Sequence, residues 1–406
     1  MYDLHLSAEQ LEFRETVRDF VNDQVKPITL KSDRLDAGDR RLPVDVLDKA
    51  SRMGLRTLAL AEKLGGVGAD NLTCCIVTEE LAAGDTDLAA VLAETSSLGG
   101  ILFDAMTDAQ RDRFLQQFVS DDRCHLAYAN HECDDSSALG ANYHRPAPTV
   151  RSVKATAVRS GNDWIINGTK DCVANAPIAK LFAVEARTDK GVQTFLMPRD
   201  TPGLGVTENA EPRWYHGSCG VITLKDCRLP ADNLLGTEAQ NRLAGRKSGR
   251  ANPLYQALNL GVGRAAYEAA LEYAQLRVQG GRRIIEHQAI GTKLAEIAIR
   301  LTIARNSIWQ AAWASDHPQA VADRSLPDLP LTRIAQVFTS EAIYRAAKDA
   351  AECFGAMGVM RDMPLQKYVH DALICLHSGD GNADARLRIA EALTGYRRGP
   401  ALRAAE

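Results

Sequence analysis

The sequence contains no apolar run that approaches about 18 residues, the length a helix needs to cross a bilayer, so no membrane span is expected. The first ten residues, MYDLHLSAEQ, lack a basic segment followed by an apolar core, so no signal peptide is expected. Nine cysteines are scattered without a CxxC pair or a metal-like spacing with histidine. This usage is typical of reduced thiols, and it predicts a cytoplasmic protein.

Neither sign of charge dominates the sequence. Its 48 Lys and Arg and 52 Asp and Glu give a formal net charge of -4, so no nucleic-acid partner is expected. The basic cluster at residues 246–250 is interpreted as solvated surface, although it could meet the phosphates of a nucleotide. With 406 residues and 45% hydrophobic side chains, the chain is long enough for two or three domains.

Helical patterns fill the first part of the chain. Residues 7–26 carry apolar side chains largely at helical spacing, with Ser7 and Gln10 as a predicted capping box. Further helices are predicted over about 43–53, 71–100 and 108–118. These patterns predict an N-terminal all-α domain over residues 1–122.

Strand patterns follow over residues 123–240, which we predict to be a β-domain. Asn167-Gly168 reads as a hairpin or tight turn between strands, and residues 141–151 as a loop insertion. Long amphipathic stripes with small residues return after Pro253, and they predict a helical bundle over residues 241–406.

A glycine-spaced turn stands out near the end of the chain. The stretch DALICLHSGDGNADARLRIA, residues 371–390, joins an apolar run to a second helix through Gly379, Asp380 and Gly381. Two glycines around an aspartate allow positive φ and a close approach of the backbone to a ligand.

This stretch resembles the C-terminal active-site segment of the acyl-CoA dehydrogenase superfamily, as do IEHQAI at residues 285–290 and DCRLPADNLLG at residues 226–236. The resemblance covers essentially the whole chain. It implies an α+β fold with an N-terminal all-α domain, a central β-barrel-like domain and a C-terminal four-helix bundle. It also implies FAD as cofactor, an acyl-CoA thioester as substrate, an electron-transfer flavoprotein as partner and a dimer of dimers whose flavin sites each draw on two subunits.

The family's catalytic glutamate is not at its expected position. In the family that residue removes the α-proton of the acyl-CoA while hydride leaves the β-carbon for the flavin. An alignment of residues 371–390 without a gap puts Gly379 at this position and Asp380 one residue later. The base candidates are Asp380 and His377, and Asp380 can equally be a turn residue or a helix cap.

The resemblance implies flavin contacts from both the β-domain and the bundle. His131 stands where the family has a threonine that bonds the flavin pyrimidine. Cys172 stands for a stacking tryptophan and Ala174 for a hydroxyl near the flavin N5, and both changes weaken flavin affinity. The cofactor-binding candidates are His131, Ser137, Ala174, Arg277, His287, Gln288, Glu352, Gly355, Gly379 and Gly381.

Arg277 is the strongest of these matches in the bundle. It corresponds to a family arginine that reaches the flavin pyrophosphate of a neighbouring subunit, a natural partner for a guanidinium. Gly280 replaces a phenylalanine of the same motif. Glu352 replaces a glutamine, and a carboxylate near a pyrophosphate requires a cationic partner, for which Arg277 is a candidate.

Three functions stay open at this point. The first is an FAD-dependent dehydrogenase of an unusual acyl-CoA, cyclic or bulky, because Gly280, Gly379 and Ala174 all remove volume. The second is a non-catalytic or half-site subunit paired with another family chain, because four family site residues are replaced together. The third is different flavin chemistry, such as that of a reductase, lyase or oxygenase, since fold does not fix function.

Overall fold

The computed structural model describes residues 5–36, 40–132, 153–209, 215–245, 253–323, 326, 329–377 and 381–394. The predicted loop insertion at residues 141–151 lies outside these ranges.

The described N-terminal part is helical. The predicted capping box is confirmed, since the Ser7 side chain accepts from the Gln10 N–H and the Gln10 side chain accepts from the Ser7 N–H. A π-helical segment, Val21–Val25, continues α1 into α2. The helices are α1 Ala8–Phe20, α2 Lys26–Thr29, α3 Val44–Arg52, α4 Asn71–Gly84, α5 Thr86–Ala105 and α6 Asp108–Ser120.

A mixed seven-stranded sheet follows. Its order is β1-β4-β2-β3-β7-β6, with β5 also pairing β4, and β1 and β2 run parallel to β4. The inward faces of its strands enclose an apolar cluster that includes Ile166, Phe182 and Phe195. The strands are β1 His125–Ala129, β2 Thr156–Ser160, β3 Asp163–Ala174, β4 Ala179–Thr188, β5 Gly191–Pro198, β6 Leu204–Glu208 and β7 Cys219–Pro230.

The predicted turn at Asn167-Gly168 is wrong. Strand β3 runs through both residues, and its register with β7 shifts between Ile166 and Gly168. The Asn167 amide exchanges hydrogen bonds with Asp226, donating to the carboxylate at 3.0 Å and accepting the Asp226 N–H at 2.8 Å. The two residues therefore form a β-bulge within the strand instead of a turn between strands.

The C-terminal part is a helical bundle with one small hairpin. Helices α8, α9, α11 and α12 pack on one another, and α13 packs on α11 and α12. The elements are α7 Thr237–Gly245, α8 Pro253–Leu276, β8 Val278–Gln279, β9 Arg282–Arg283, α9 Gln288–Asp316, α10 Gln319–Ala322, α11 Leu331–Cys353, α12 Pro364–His377 and α13 Gly381–Thr394. The sequence of helices, sheet and bundle confirms the predicted fold class.

One continuous core joins the two helical parts. Buried side chains of α1, α4 and α5 lie in the same cluster as those of α8, α9, α11 and α12. Helix α5 is long and apolar enough to cross a membrane by length and composition, which the sequence analysis did not foresee. Because 56% of its most apolar window is buried inside the protein, α5 is weak evidence for a span.

Candidate functional site

The segment after β1 is fixed to the sheet through Glu132. Its carboxylate accepts hydrogen bonds from the fully buried Lys170 Nζ at 2.6 Å and from the N–H groups of Lys154 and Ala155. Burial alone would raise the pKa of Glu132, but these donors hold it below its ordinary value. Glu132 therefore stays ionised and locks the position of its neighbour, His131.

His131 has a partner that the sequence did not suggest. Its Nδ1 lies 2.6 Å from Asp171 Oδ1, and its carbonyl accepts the Asp171 N–H at 3.2 Å. Asp171 and Cys172 form a second irregularity in β3, where the register with β7 shifts between Lys170 and Val173. No spacing rule connects residue 131 with residue 171, so only the fold brings these side chains together.

Ala174 is the last residue of β3. It is exposed and lies opposite Cys219 on β7. The next residue, Asn175, has a φ of 63° and is buried. Its amide donates to the Val91 carbonyl, Thr95 Oγ1 and the Leu126 carbonyl. This left-handed residue fastens the end of β3 to α5 and fixes where Ala174 lies.

Arg277 begins a short basic hairpin. The two-residue turn is Gly280-Gly281, with φ values of 65° and 81°, which is the pattern of a type I′ turn. The turn accounts for the glycine at position 280, because a phenylalanine there would be strained at this φ. Arg277, Arg282 and Arg283 are all exposed, and no carboxylate among the described residues pairs with them.

His287 packs under this hairpin. Its Nε2 lies 3.0 Å from the Gln279 carbonyl oxygen, and its Nδ1 lies 3.3 Å from the Arg282 guanidinium. Gln288 follows as the exposed first residue of α9. The structure thus places three of the cofactor-binding candidates, Arg277, His287 and Gln288, at one end of the bundle.

Arg277 is not the described partner of Glu352, so that expectation is wrong. Lys293 on α9 donates a hydrogen bond to Glu352 Oε2, and Lys348 Nζ lies 3.9 Å from Oε1. The Lys293 bond lowers the pKa of Glu352. Because Glu352 is neutralised within its own chain, Arg277 stays available to an anion.

An open cavity of about 560 Å³ lies beside these residues, between α9 and α11. Gln288, Lys293, Arg300 and Asp349 line it. Gly355 follows α11 with a φ of 59° and is exposed. Among the described residues, no hydrogen bond or ion pair joins this bundle group to His131 or Ala174.

The proposed base lies at the edge of what the structure describes. His377 is exposed and ends α12, and Gly381 starts α13 with a φ of 80°. Asp380 and Gly379 lie outside the described residues, as does Ser137.

A buried charge network anchors the helix that leads to this turn. Asp371 on α12 is fully buried and accepts from Arg40 Nη1 at 2.6 Å, from Lys367 Nζ at 2.9 Å and from Thr86 Oγ1 at 3.2 Å. Burial would raise the pKa of Asp371, but Arg40 and Lys367 hold it well below its usual range.

His216 joins the network from the β-domain side. Its Nε2 lies 3.1 Å from the Asp371 carbonyl oxygen and 3.5 Å from Cys375 Sγ. Desolvation by the surrounding protein lowers the pKa of the half-buried ring, which keeps it neutral near pH 7. Sequence reasoning used Asp371 only as an alignment landmark and missed His216.

The chemistry of these residues fits FAD. Three guanidinium groups without a described carboxylate partner suit a diphosphate, which they can bind through paired hydrogen bonds. The imidazole of His131 is 44% exposed, and with Nδ1 directed at Asp171 its Nε2 is left to serve a polar ring edge.

The chain matches three family models along its length. They are the acyl-CoA dehydrogenase N-terminal domain at residues 7–122, the middle domain at residues 148–227 and the C-terminal domain at residues 250–393.

Whole-chain relatives agree with the three models. A probable acyl-CoA dehydrogenase, YngJ, of Bacillus subtilis is 30% identical over 409 residues, covering 96% of this chain and 99% of the relative. The human mitochondrial short-chain specific acyl-CoA dehydrogenase is 29% identical, covering 89% and 84%. The structure of a glutaryl-CoA dehydrogenase from Mycobacterium smegmatis superposes with a TM-score of 0.80 at 25% identity, covering 97% and 96%. The chain therefore belongs to the acyl-CoA dehydrogenase family, whose members are FAD-dependent oxidoreductases.

Proposed function

We propose that this protein dehydrogenates an acyl-CoA thioester between its α- and β-carbons, and that the acyl group is cyclic or bulky. The observation that carries the proposal is the full-length match to a probable acyl-CoA dehydrogenase, which leaves none of the three domains unaccounted for. An electron-transfer flavoprotein is the proposed oxidant of the reduced cofactor, and a dimer of dimers is the proposed assembly.

Bound FAD supplies the hydride acceptor, and the residues of this chain supply its surroundings. We assign Arg277, with Arg282 beside it, to the diphosphate, and His131 to the polar edge of the flavin ring. Lys293 supports these contacts by neutralising Glu352, so that the Glu352 carboxylate does not repel the phosphates.

Asp380 is the proposed base for the α-proton. An aspartate can serve as the base in place of glutamate, since desolvation can raise the pKa of a carboxyl group into the range that general-base catalysis needs. The buried ion pairs of Asp371 fix the orientation of α12, which ends at His377, three residues before Asp380 in the sequence. His377, the last residue of α12, is the second candidate.

A second function is supported by one specific observation. The hairpin arginines pair with no described carboxylate of their own chain, while Cys172 and Ala174 stand where the family has a stacking group and a hydroxyl. A subunit that lends Arg277 to the flavin of a different family chain, without holding a productive flavin itself, would have both properties.

The flavin content of the chain purified alone separates these functions. Near one FAD per chain, seen in the absorbance spectrum, supports the dehydrogenase. A protein that stays colourless after incubation with FAD, and that binds a flavin-containing family chain, supports the half-site subunit.

Base assignment needs a matched pair of variants in the flavin-loaded protein. We expect Asp380→Asn to lower the rate of flavin reduction by an acyl-CoA by at least about 100-fold, the usual contribution of a general base. His377→Gln should stay within about threefold of the unmodified protein. The reverse order would make His377 the base.

A further inference from the structure

Two departures from the family pattern, far apart in the sequence, meet in space. His131 and Cys172 each replace a different residue type of the family, and 40 positions separate His131 from Asp171. In the structure one ligand atom each from His131, Asp171 and Cys172 lies within 4.8 Å of the other two.

We propose that His131, Asp171 and Cys172 form a binding site for a thiophilic divalent metal ion of the zinc type. Imidazole, carboxylate and thiolate are the donors that zinc takes in proteins, at about 2.0–2.3 Å. The thiolate and the carboxylate together carry two negative charges, which balance a divalent cation. The thiolate also disfavours Mg²⁺ and Ca²⁺, which prefer oxygen donors.

The geometry is close to what such a site requires. Ligand atoms around a tetrahedral zinc lie roughly 3.3–3.8 Å apart, given the usual bond lengths. His131 Nδ1 and Asp171 Oδ1 lie 2.6 Å apart, so an ion in place of their shared proton would increase this distance by roughly 0.7 Å. The other distances among the three ligand atoms are at most 4.8 Å, and they must shorten by roughly 1 Å. A side-chain rotation provides a movement of this size.

The backbone that carries the three donors is held in a fixed conformation. Asp171 and Cys172 occupy the register shift of β3, and Cys172 has a φ of 50°, a conformation that L residues rarely adopt. Glu132 and the buried Lys170 hold the segments on either side. Two of the three donors are therefore carried by strand β3, and the third, His131, follows β1 in a segment that Glu132 ties to the sheet, which suits a fixed coordination geometry.

The site keeps an open position. The side chains of His131 and Asp171 are 44% and 20% exposed, and three protein ligands leave the fourth corner of a tetrahedron to water or to a ligand atom. If the metal takes Nδ1, the Nε2–H of His131 remains available to a flavin. The proposal does not rest on the proposed function, because the metal can be bound by a chain with or without FAD.

The test is a titration of the full chain with Zn²⁺ by calorimetry, in the presence of excess Mg²⁺. We expect one Zn²⁺ per chain. Cys172→Ser, His131→Gln and Asp171→Asn should each lower the affinity by at least about tenfold. Replacing Zn²⁺ with Co²⁺ should produce a thiolate-to-cobalt absorption band that Cys172→Ser removes.

His5→Gln is the matched control, because His5 is an exposed histidine of the first described residues, outside the sheet. It should bind Zn²⁺ like the unmodified protein. No Zn²⁺ binding, or binding that Cys172→Ser and His131→Gln leave unchanged, would overturn the proposal and reduce the cluster to a surface His–Asp pair. Cys172→Ser exchanges a single atom, so loss of binding in that variant is not a folding defect when its far-ultraviolet circular dichroism is unchanged.

Discussion

At the scale of single residues, Asp371 is the centre of a buried charge network. It is fully buried between Arg40 and Lys367, whose side chains are themselves 5% and 2% exposed. Removing one charge from such a group leaves the others buried without compensation, at a cost of about 3–5 kcal/mol. We therefore expect Asp371→Asn to lower the free energy of unfolding by about that amount, measured by urea denaturation.

Arg386→Ala is the control for this prediction. Arg386 pairs with Glu341 at 2.8 Å, but both side chains are about half exposed, at 55% and 46%. Exposed pairs contribute about 0–1 kcal/mol. A loss of less than about 1 kcal/mol in Asp371→Asn as well would mean that solvent reaches the network and that its burial is overstated.

The sequence identified Asp371 but none of its partners. Lys367 is four residues away on the same helix, whereas Thr86 and Arg40 are 285 and 331 residues away. The same holds for His131 and Asp171. Which side chains meet across different elements depends on packing, and the spacing of residues along the sequence does not show it. The family resemblance therefore named candidate site residues but not the contacts between them.

At the scale of elements, glycine decides how closely two helices approach. A Cβ at Gly261 of α8 would lie 2.5 Å from the Glu79 carbonyl oxygen and 2.7 Å from Ala82 Cβ, both on α4. We expect Gly261→Ala to destabilise the protein by about 1–3 kcal/mol, because overpacking exceeds the gain in helix propensity. Thermal unfolding, calibrated by urea denaturation, measures the change.

Gly291 of α9 provides the opposite case. A Cβ there meets only the Ile285 carbonyl oxygen at 3.9 Å, an ordinary contact. Gly291→Ala should therefore stabilise the protein by about 0.5–1 kcal/mol through helix propensity alone. If Gly261→Ala stabilises the protein as Gly291→Ala does, close packing of α4 on α8 is not the reason for glycine at position 261.

Element prediction succeeded where the signal is local and failed where it is not. The capping box of α1 is confirmed because Ser7 and Gln10 lie within one turn. The Asn167-Gly168 turn is wrong because β7 pairs along the whole of β3, and its hydrogen bonds outweigh a two-residue preference. Strand β6 was not predicted, since all five of its residues are half-buried or exposed and show no strong apolar pattern.

At the scale of the whole molecule, buried ionisable groups make the stability of the fold decrease as the pH falls. Burial lowers the pKa of His125 to about 4, well below the value of about 6.5 for the unfolded chain. Between these values the unfolded chain binds a proton that the folded chain rejects, so stability present above pH 6.5 is lost towards pH 4. The shift corresponds to at most about 3 kcal/mol.

A second loss follows at lower pH. Glu80 is buried, but Arg264 and Arg18 keep its pKa lowered, and Asp371 behaves likewise. Their contribution is present above the unfolded pKa of about 4 and disappears as pH falls through the folded values.

Urea unfolding at steps from pH 8 to pH 3 should therefore show two stages. His125→Gln should reduce the first stage and leave the second. We assign the dependence on pH that remains in the first stage of this variant to His216, whose pKa is also lowered. An unchanged profile in His125→Gln would contradict the assignment.

The shared core has a consequence for synthesis of the chain. One face of α4 packs on α8, and a ribosome needs roughly 10–40 s to travel from the end of one helix to the end of the other. During that interval Leu81, Ile76 and their neighbours emerge without the helix that covers them, while the sheet between them can already close. The N-terminal helical domain is thus completed only after the bundle has been made, and its nascent helices expose apolar surface that a chaperone can bind.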